Sequence, residues 1–126
     1  MKDGQIRLGN KLQVTGPRHD IANFYRVSDI YIHTAIREGL PNSILEAMSC
    51  GLPVISSRIP GLEDFILFHN SNCLLADVKD EFIHHIKSLS DDKSLYARIG
   101  EKGREFIEQN ATFDKVLDAL KMNLLT

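Results

Sequence analysis

The chain is short of most of the features that would assign it a function at once. In its 126 residues no apolar run approaches the roughly 20 residues a membrane-spanning helix requires, so a bilayer span is excluded. Charge of one sign is also lacking: 15 Lys and Arg against 17 Asp and Glu leave a formal net charge of −2. That balance gives no general electrostatic attraction for a nucleic-acid backbone or an anionic membrane, so any anionic ligand must be held by local geometry. The two cysteines, Cys50 and Cys73, belong to no Cys-x-x-Cys pair or Cys/His cluster, which excludes a zinc site of the usual spacing and leaves reduced thiols as the expectation. The N-terminal Met1-Lys2-Asp3-Gly4-Gln5 lacks the apolar stretch of a secretory signal, so a cytoplasmic protein is expected. There is no Gly-x-Gly-x-x-Gly, no Walker loop and no Gly-x-Ser-x-Gly elbow, and no internal repeat or low-complexity tract.

What is present fits one domain of alternating strands and helices. Lys11 to Gly16 alternates like a strand and stops at Gly16-Pro17. Asp20 precedes Ile21, Phe24 and Val27 at roughly the helical period, predicting a short capped helix over 20–27. Asp29 to Thr34 has the β-branched content of a buried strand. A turn-rich segment, 37–43, then feeds the helix formers Ile44 to Met48, which end at Gly51. Leu52 to Ser57 reads as a further strand with Pro53 at its start, Arg58 to Gly61 as the loop beyond it, Leu62 to Phe68 as one helical turn, and Cys73 to Ala76 as a short strand. Phe82, Ile83, Ile86 and Leu89 form one helical face and Leu95, Ile99 and Phe106 the next, while Thr112 is placed to cap a last helix burying Val116, Leu117 and Leu120. The fold class expected is α/β: a Rossmann-like parallel sheet flanked by helices, with a core over about 12–110 and a C-terminal helix over 111–126.

Chemistry concentrates between Glu38 and Glu46, two carboxylates eight residues apart that bracket a loop and the first turn of a helix. A helix start offers unpaired N–H groups and a partial positive charge that suit a diphosphate, and Gly39 lets the backbone approach a ligand closely. Glu46, one turn in, can accept hydrogen bonds from sugar hydroxyls, while Glu38 can reach a second sugar beyond the phosphates. By spacing alone the plainer reading of the same residues is the commoner outcome: Ser43-x-x-Glu46 as a capping box, Glu38 as a solvated charge, and Gly39 to Pro41 as an ordinary turn. Among other residues, His33 reads as a hydrogen-bonded structural residue on an apolar strand, and His84 and His85 as a solvated face. Cys50 reads as a small packing residue. His19 stands evenly between a cleft-facing and an ordinary loop residue. Arg37 and Arg58 flank sheet-end loops, where each is either a phosphate contact or an exposed cation, with Arg58 the weaker candidate.

The run Asp29 to Ile32, followed by Glu38-Gly39-Leu40-Pro41-Asn42-Ser43-Ile44-Leu45-Glu46-Ala47-Met48-Ser49-Cys50-Gly51-Leu52-Pro53-Val54-Ile55, resembles glycosyltransferase family 4, the group 1 transferases. The resemblance continues through Pro60 to Asp64 and the C-terminal helices, from about Leu12 to Leu125. It implies the later part of the C-terminal, donor-binding half of a GT-B enzyme, which transfers sugar from a UDP- or GDP-sugar to a glycan or lipid acceptor with retention. No metal and no separate cofactor are expected. On this resemblance Glu38 is the catalytic position beside the donor sugar, Gly39, Leu40, Pro41, Asn42 and Ser43 contact sugar and diphosphate, and Glu46 holds the ribose; His19 and Arg37 are further candidates. Thr34-Ala35 replaces a common Pro-Ser pair, Asn72-Cys73 a common Asn-Gly, and Asp64 a frequent Glu. The acceptor domain and the first strand and helix of the donor domain, with their diphosphate-clamping Arg and Lys, have no counterpart in the sequence. The chain alone is therefore expected to bind donor weakly and not to catalyse, and any docking at the inner face of a membrane is left to the N-terminal half. Two rival readings stand beside this one: a non-catalytic interaction module or split-enzyme subunit whose open sheet edge pairs with a complementary chain or with itself, and a sugar-nucleotide epimerase of related build. Light scattering on the purified chain separates the first, and product analysis with and without an acceptor the second.

Overall fold

The computed structural model describes residues 11–16, 20–35 and 42–110. Two short helices and three strands come first: α1 (Ile21–Val27), β1 (Tyr31–His33), α2 (Asn42–Ser49), β2 (Val54–Ser57) and β3 (Leu74–Ala76). Two longer helices follow, α3 (Lys79–Asp91) and α4 (Lys93–Gln109). The strands form one parallel sheet in the order β1-β2-β3, with Ile32 opposite Ile55 and Ile55 opposite Leu74. Pro53 lies just before β2 rather than within it, and its carbonyl extends the ladder by accepting from the Tyr31 N–H at 2.9 Å. This is where a residue without an N–H does no harm.

Alternate residues of the strands supply two separate cores, as the period of two requires. Val54, Cys73 and Leu75 join Ile44, Leu45, Ala47 and Met48 of α2, together with Ile59, Leu62 and Leu67, on one face. Ile55 and Leu74 join Leu89 of α3 and Ile99 of α4 on the other, with Ile30, Phe82, Ile86, Leu95 and Tyr96 packed around them. All four residues of β2 are buried, as befits a strand covered on both faces. Each fully buried Leu, Ile or Met here contributes roughly 1.5–3 kcal/mol relative to exposure.

Helix α2 ends as its sequence predicts. Gly51 takes a left-handed φ of +73°, its N–H bonds to the Met48 carbonyl at 2.9 Å, and the Leu52 N–H reaches back to the Ala47 carbonyl at 3.1 Å. Both bonds of a Schellman turn are thus made. Helix α4 crosses above this turn through two buried glycines. A Cβ on Gly100 would lie 2.5 Å from the Gly51 carbonyl oxygen, and one on Gly103 would lie 3.3 Å from both the Asn72 carbonyl oxygen and Met48 Cγ.

Several expectations need correction. Residues 12–16 are irregular rather than a strand, with Val14 46% exposed: alternation makes a strand only where a ladder partner and a buried face exist. Within α1 the buried residue is Tyr25, whereas Val27 is 80% exposed and Ile21 43% exposed. Asp20 stands at the N-cap of α1 but its side chain makes no cap bond. The segment 62–68 holds a tight turn in which the Leu62 carbonyl accepts from Phe65, Ile66 and Leu67, but no helix propagates, because Asp64 adopts φ +57°. On α3, Ile83 is 43% exposed and the buried stripe runs through Phe82, Ile86 and Leu89. The last helix expected from Thr112 onward lies outside the described residues. No helix among the described residues is long and apolar enough to cross a membrane.

The free edge of β3 is closed by two histidines. The Leu75 N–H donates to His69 Nδ1 at 2.9 Å, and His85 Nε2 lies 2.8 Å from the Leu75 carbonyl oxygen. His85 is therefore half-buried and structural, a correction to the reading of His84 and His85 as one solvated face; His84 is exposed. Burial, then the neighbouring His85 and Arg58, lowers the His69 pKa from 6.5, while Glu81 opposes the shift. Protonation would also remove the lone pair that accepts from Leu75.

Two outcomes are expected. Gly100→Ala will destabilise the chain by about 1–3 kcal/mol in denaturant unfolding, against the usual gain of Ala over Gly inside a helix. For His69, the unfolded chain binds the proton more readily than the folded one. Its contribution is therefore complete above pH 6.5 and is lost as pH falls from there through the lower folded pKa. His69→Asn, which keeps an acceptor, will flatten that acid limb in unfolding measured across pH.

Candidate functional site

Helix α2 carries the candidate site, and its own sequence decides which way it faces. Ile44, Leu45, Ala47 and Met48 are buried against the sheet, which turns Asn42 and Glu46 outward and leaves Ser43 half-buried. At the end of β2 the Ser57 hydroxyl donates to the Ala35 carbonyl at 2.6 Å. That bond ties down the chain as it leaves β1 on its way to α2.

Glu46 is held by a neighbouring helix. The Tyr25 hydroxyl of α1 donates to Glu46 Oε2 at 3.2 Å, and burial, reinforced by the Glu46 charge and this hydrogen bond, pushes the Tyr25 pKa up to about 12. Tyr25 is therefore a neutral donor at any physiological pH. Its ring meets Tyr31 edge-on at 5.9 Å, and the Tyr31 hydroxyl lies 3.0 Å from His33 Nδ1. Glu46, Tyr25, Tyr31 and His33 so form a connected aromatic and polar row from α2 across α1 to β1. His33 is buried and hydrogen-bonded, in accord with its reading as a structural residue. An open cavity of about 500 Å³ lies along this row, with Ser43, Glu46, Tyr25, Tyr31 and Thr15 on its wall.

Of the residues singled out in the sequence, the structure brings Ser43 and Glu46 to this one cavity and leaves Asn42 exposed at the helix start, beside Glu46. Glu38, Gly39, Leu40, Pro41, Arg37 and His19 lie outside the described residues. Ser43 is the second residue of α2 rather than its N-cap, and the Glu46 carboxylate takes the Tyr25 hydroxyl, so the capping-box alternative loses its geometry. Arg58 points elsewhere: its guanidinium pairs with Asp77 at 3.2 Å and Glu63 at 3.9 Å. Cys50 is exposed, and Cys73 is buried with its thiol pushed up to about 12 by desolvation. Among the described residues no three His, Cys, Asp or Glu side chains converge as metal ligands would.

Sequence reasoning missed Tyr25 and Tyr31. The available signal was chemical: a tyrosine among apolar neighbours buries its ring only where its hydroxyl finds a partner, and Glu46 is that partner.

Comparison with known proteins shows the family and the fold. The family model for glycosyl transferases group 1 matches residues 4–106. This chain belongs to that family. Over 118 residues it is 30% identical to the Escherichia coli UDP-Gal:alpha-D-GlcNAc-diphosphoundecaprenol alpha-1,3-galactosyltransferase, a match covering 94% of this chain and 25% of that protein. It is 28% identical to the Rhizobium meliloti lipopolysaccharide core biosynthesis glycosyltransferase LpsE, covering 90% of this chain and 34% of the relative. The crystal structure of Anabaena HepE in complex with UDP-glucose superposes with a TM-score of 0.81 at 24% identity, covering 98% of this chain and 35% of that one. The C-terminal domain of a group 1 family protein, LpcC from Francisella tularensis, superposes at 0.72 and 22% identity, covering 89% of this chain and 60% of that domain. The fold is therefore the α/β arrangement of a GT-B C-terminal half, and the chain spans a quarter to a third of these full-length relatives.

Proposed function

We propose that this chain is the donor-binding part of a retaining glycosyltransferase that uses a UDP- or GDP-sugar to extend a glycan or glycolipid acceptor. The observation that carries the reading is Glu46: an exposed carboxylate one turn into α2, oriented by Tyr25 and bordering a 500 Å³ cavity, within a segment that the family model spans. In this proposal Glu46 accepts hydrogen bonds from the ribose hydroxyls. The amides at the start of α2, around Asn42 and Ser43, face the diphosphate, and Gly39 to Pro41 continue that contact toward the donor sugar. Glu38 stands beside the sugar as the catalytic position. As the glycosidic bond breaks, negative charge grows on the leaving diphosphate, and oriented N–H groups stabilise it without reorganisation. Neither a metal nor a cofactor is part of the proposal. The acceptor site belongs to a domain that this chain does not span.

The physical logic is one of cost. A ribose presents two adjacent hydroxyls, and a carboxylate accepts from both, so removing it strands two donors. Glu46→Ala is expected to weaken UDP binding about tenfold or more, read by isothermal titration or ligand-observed NMR, and to lower stability by about 1 kcal/mol because the part-buried Tyr25 hydroxyl loses its acceptor. Unaltered affinity in that variant would defeat the ribose assignment.

A further inference from the structure

Tyr25 has no role in the proposed reaction as set out above, yet it is the residue that fixes the Glu46 side chain. An exposed glutamate samples many rotamers, and ordering it on ligand binding costs side-chain entropy. Here one carboxylate oxygen, Oε2, already receives the Tyr25 hydroxyl at 3.2 Å, while the Tyr25 ring is 8% exposed and braced edge-on by Tyr31. The donor is thus rigid, neutral and built into the core, and the acceptor is the one carboxylate on the outward side of α2. Both side chains line the same cavity.

We infer that Tyr25 is a positioning residue for nucleotide binding: its hydroxyl pins one oxygen of Glu46 so that the other is presented, in a fixed direction, to a vicinal diol. The inference rests on the proposed reading of Glu46 as a diol acceptor. Its consequence is a coupling between two residues on different helices, 21 positions apart in sequence, that a purely structural tyrosine would not show. A tyrosine serving only as core filler would lose nothing in ligand affinity on conversion to phenylalanine, because the ring, its burial and its contact with Tyr31 all remain.

The test is a double-mutant cycle on the whole chain with Tyr25→Phe, Glu46→Gln and the pair, titrated with UDP and with GDP by ligand-observed NMR. Tyr25→Phe is expected to weaken nucleotide binding about 3- to 10-fold in the parent background and to have a clearly smaller effect in the Glu46→Gln background, where the amide oxygen is a weaker, uncharged acceptor. Ultraviolet titration of the phenol supplies a ligand-free readout: Tyr25 ionises near 12 in the parent and lower in Glu46→Gln, where charge and acceptor strength are both reduced. If Glu46→Gln weakens binding while Tyr25→Phe does not, or if Tyr25→Phe acts equally in both backgrounds, the positioning role is overturned and the reading of Glu46 stands. If Glu46→Gln binds as the parent does, or the parent binds neither nucleotide, the underlying reading falls and the inference with it. An unshifted Tyr25 ionisation in Glu46→Gln overturns the hydrogen bond itself.

Discussion

The backbone of Gly51 and the backbone of Gly100 meet so closely that a single methyl group between them would stand 2.5 Å from a carbonyl oxygen. That approach fixes the C-terminal end of α2 under α4. It works because Gly51 also needs its left-handed φ to close the Schellman turn, so one glycine satisfies a conformational and a packing demand at once. With its far end clamped and its stripe of Ile44, Leu45, Ala47 and Met48 buried on the sheet, α2 has no freedom to rotate. Glu46 is thereby committed to the outer side, and its meeting with Tyr25 follows from helix placement rather than from the carboxylate seeking a partner.

The sheet shows the same economy at its margins. β2 is buried on both faces and lies between the other two strands, so the edges belong to β1 and β3. On β3 the outward-facing N–H and C=O of Leu75 are both occupied, by His69 from the turn before the strand and His85 from the helix after it. Side chains here do the work of a fourth strand, which protects the edge from pairing with another chain. On β1 the contrast is visible in Ile32, an apolar side chain left 43% exposed. The relatives are about three to four times longer than the matched region, which covers 60% of the solved C-terminal domain of LpcC.

Much of this architecture is legible in the amino-acid order. The buried strands β2 and β3, the helix stop at Gly51 and most of the stripes of α3 and α4, Ile83 excepted, follow from periodicity, because each is dictated by neighbours within a few residues. The errors have a common cause in contacts distant along the chain. Lys11 to Gly16 alternates like a strand but acquires no ladder partner, and Val27 fits the helical period yet faces away from the core that Tyr25 enters. His85 looks like surface until β3, ten residues earlier, presents a carbonyl to it. At the candidate site the residue types and spacing of Glu38 and Glu46 suggest a ligand, but they cannot show that a tyrosine 21 residues away from Glu46 orients it, since that depends on how α1 lies against α2. Membership of the glycosyl transferases group 1 family was legible for a different reason: a long run of residues, from Glu38 to Ile55, matches in type and order.

The central claim is that the outer face of α2 receives the diphosphate and ribose of a nucleotide. Backbone-amide chemical-shift mapping of the isotopically labelled chain during titration with UDP examines it most directly. The account predicts that the largest shifts fall on Asn42, Ser43 and Glu46 and extend to Tyr25 through its hydrogen bond. Shifts confined to the opposite core around Leu89 and Ile99, or to the histidine-capped edge at Leu75, would contradict it.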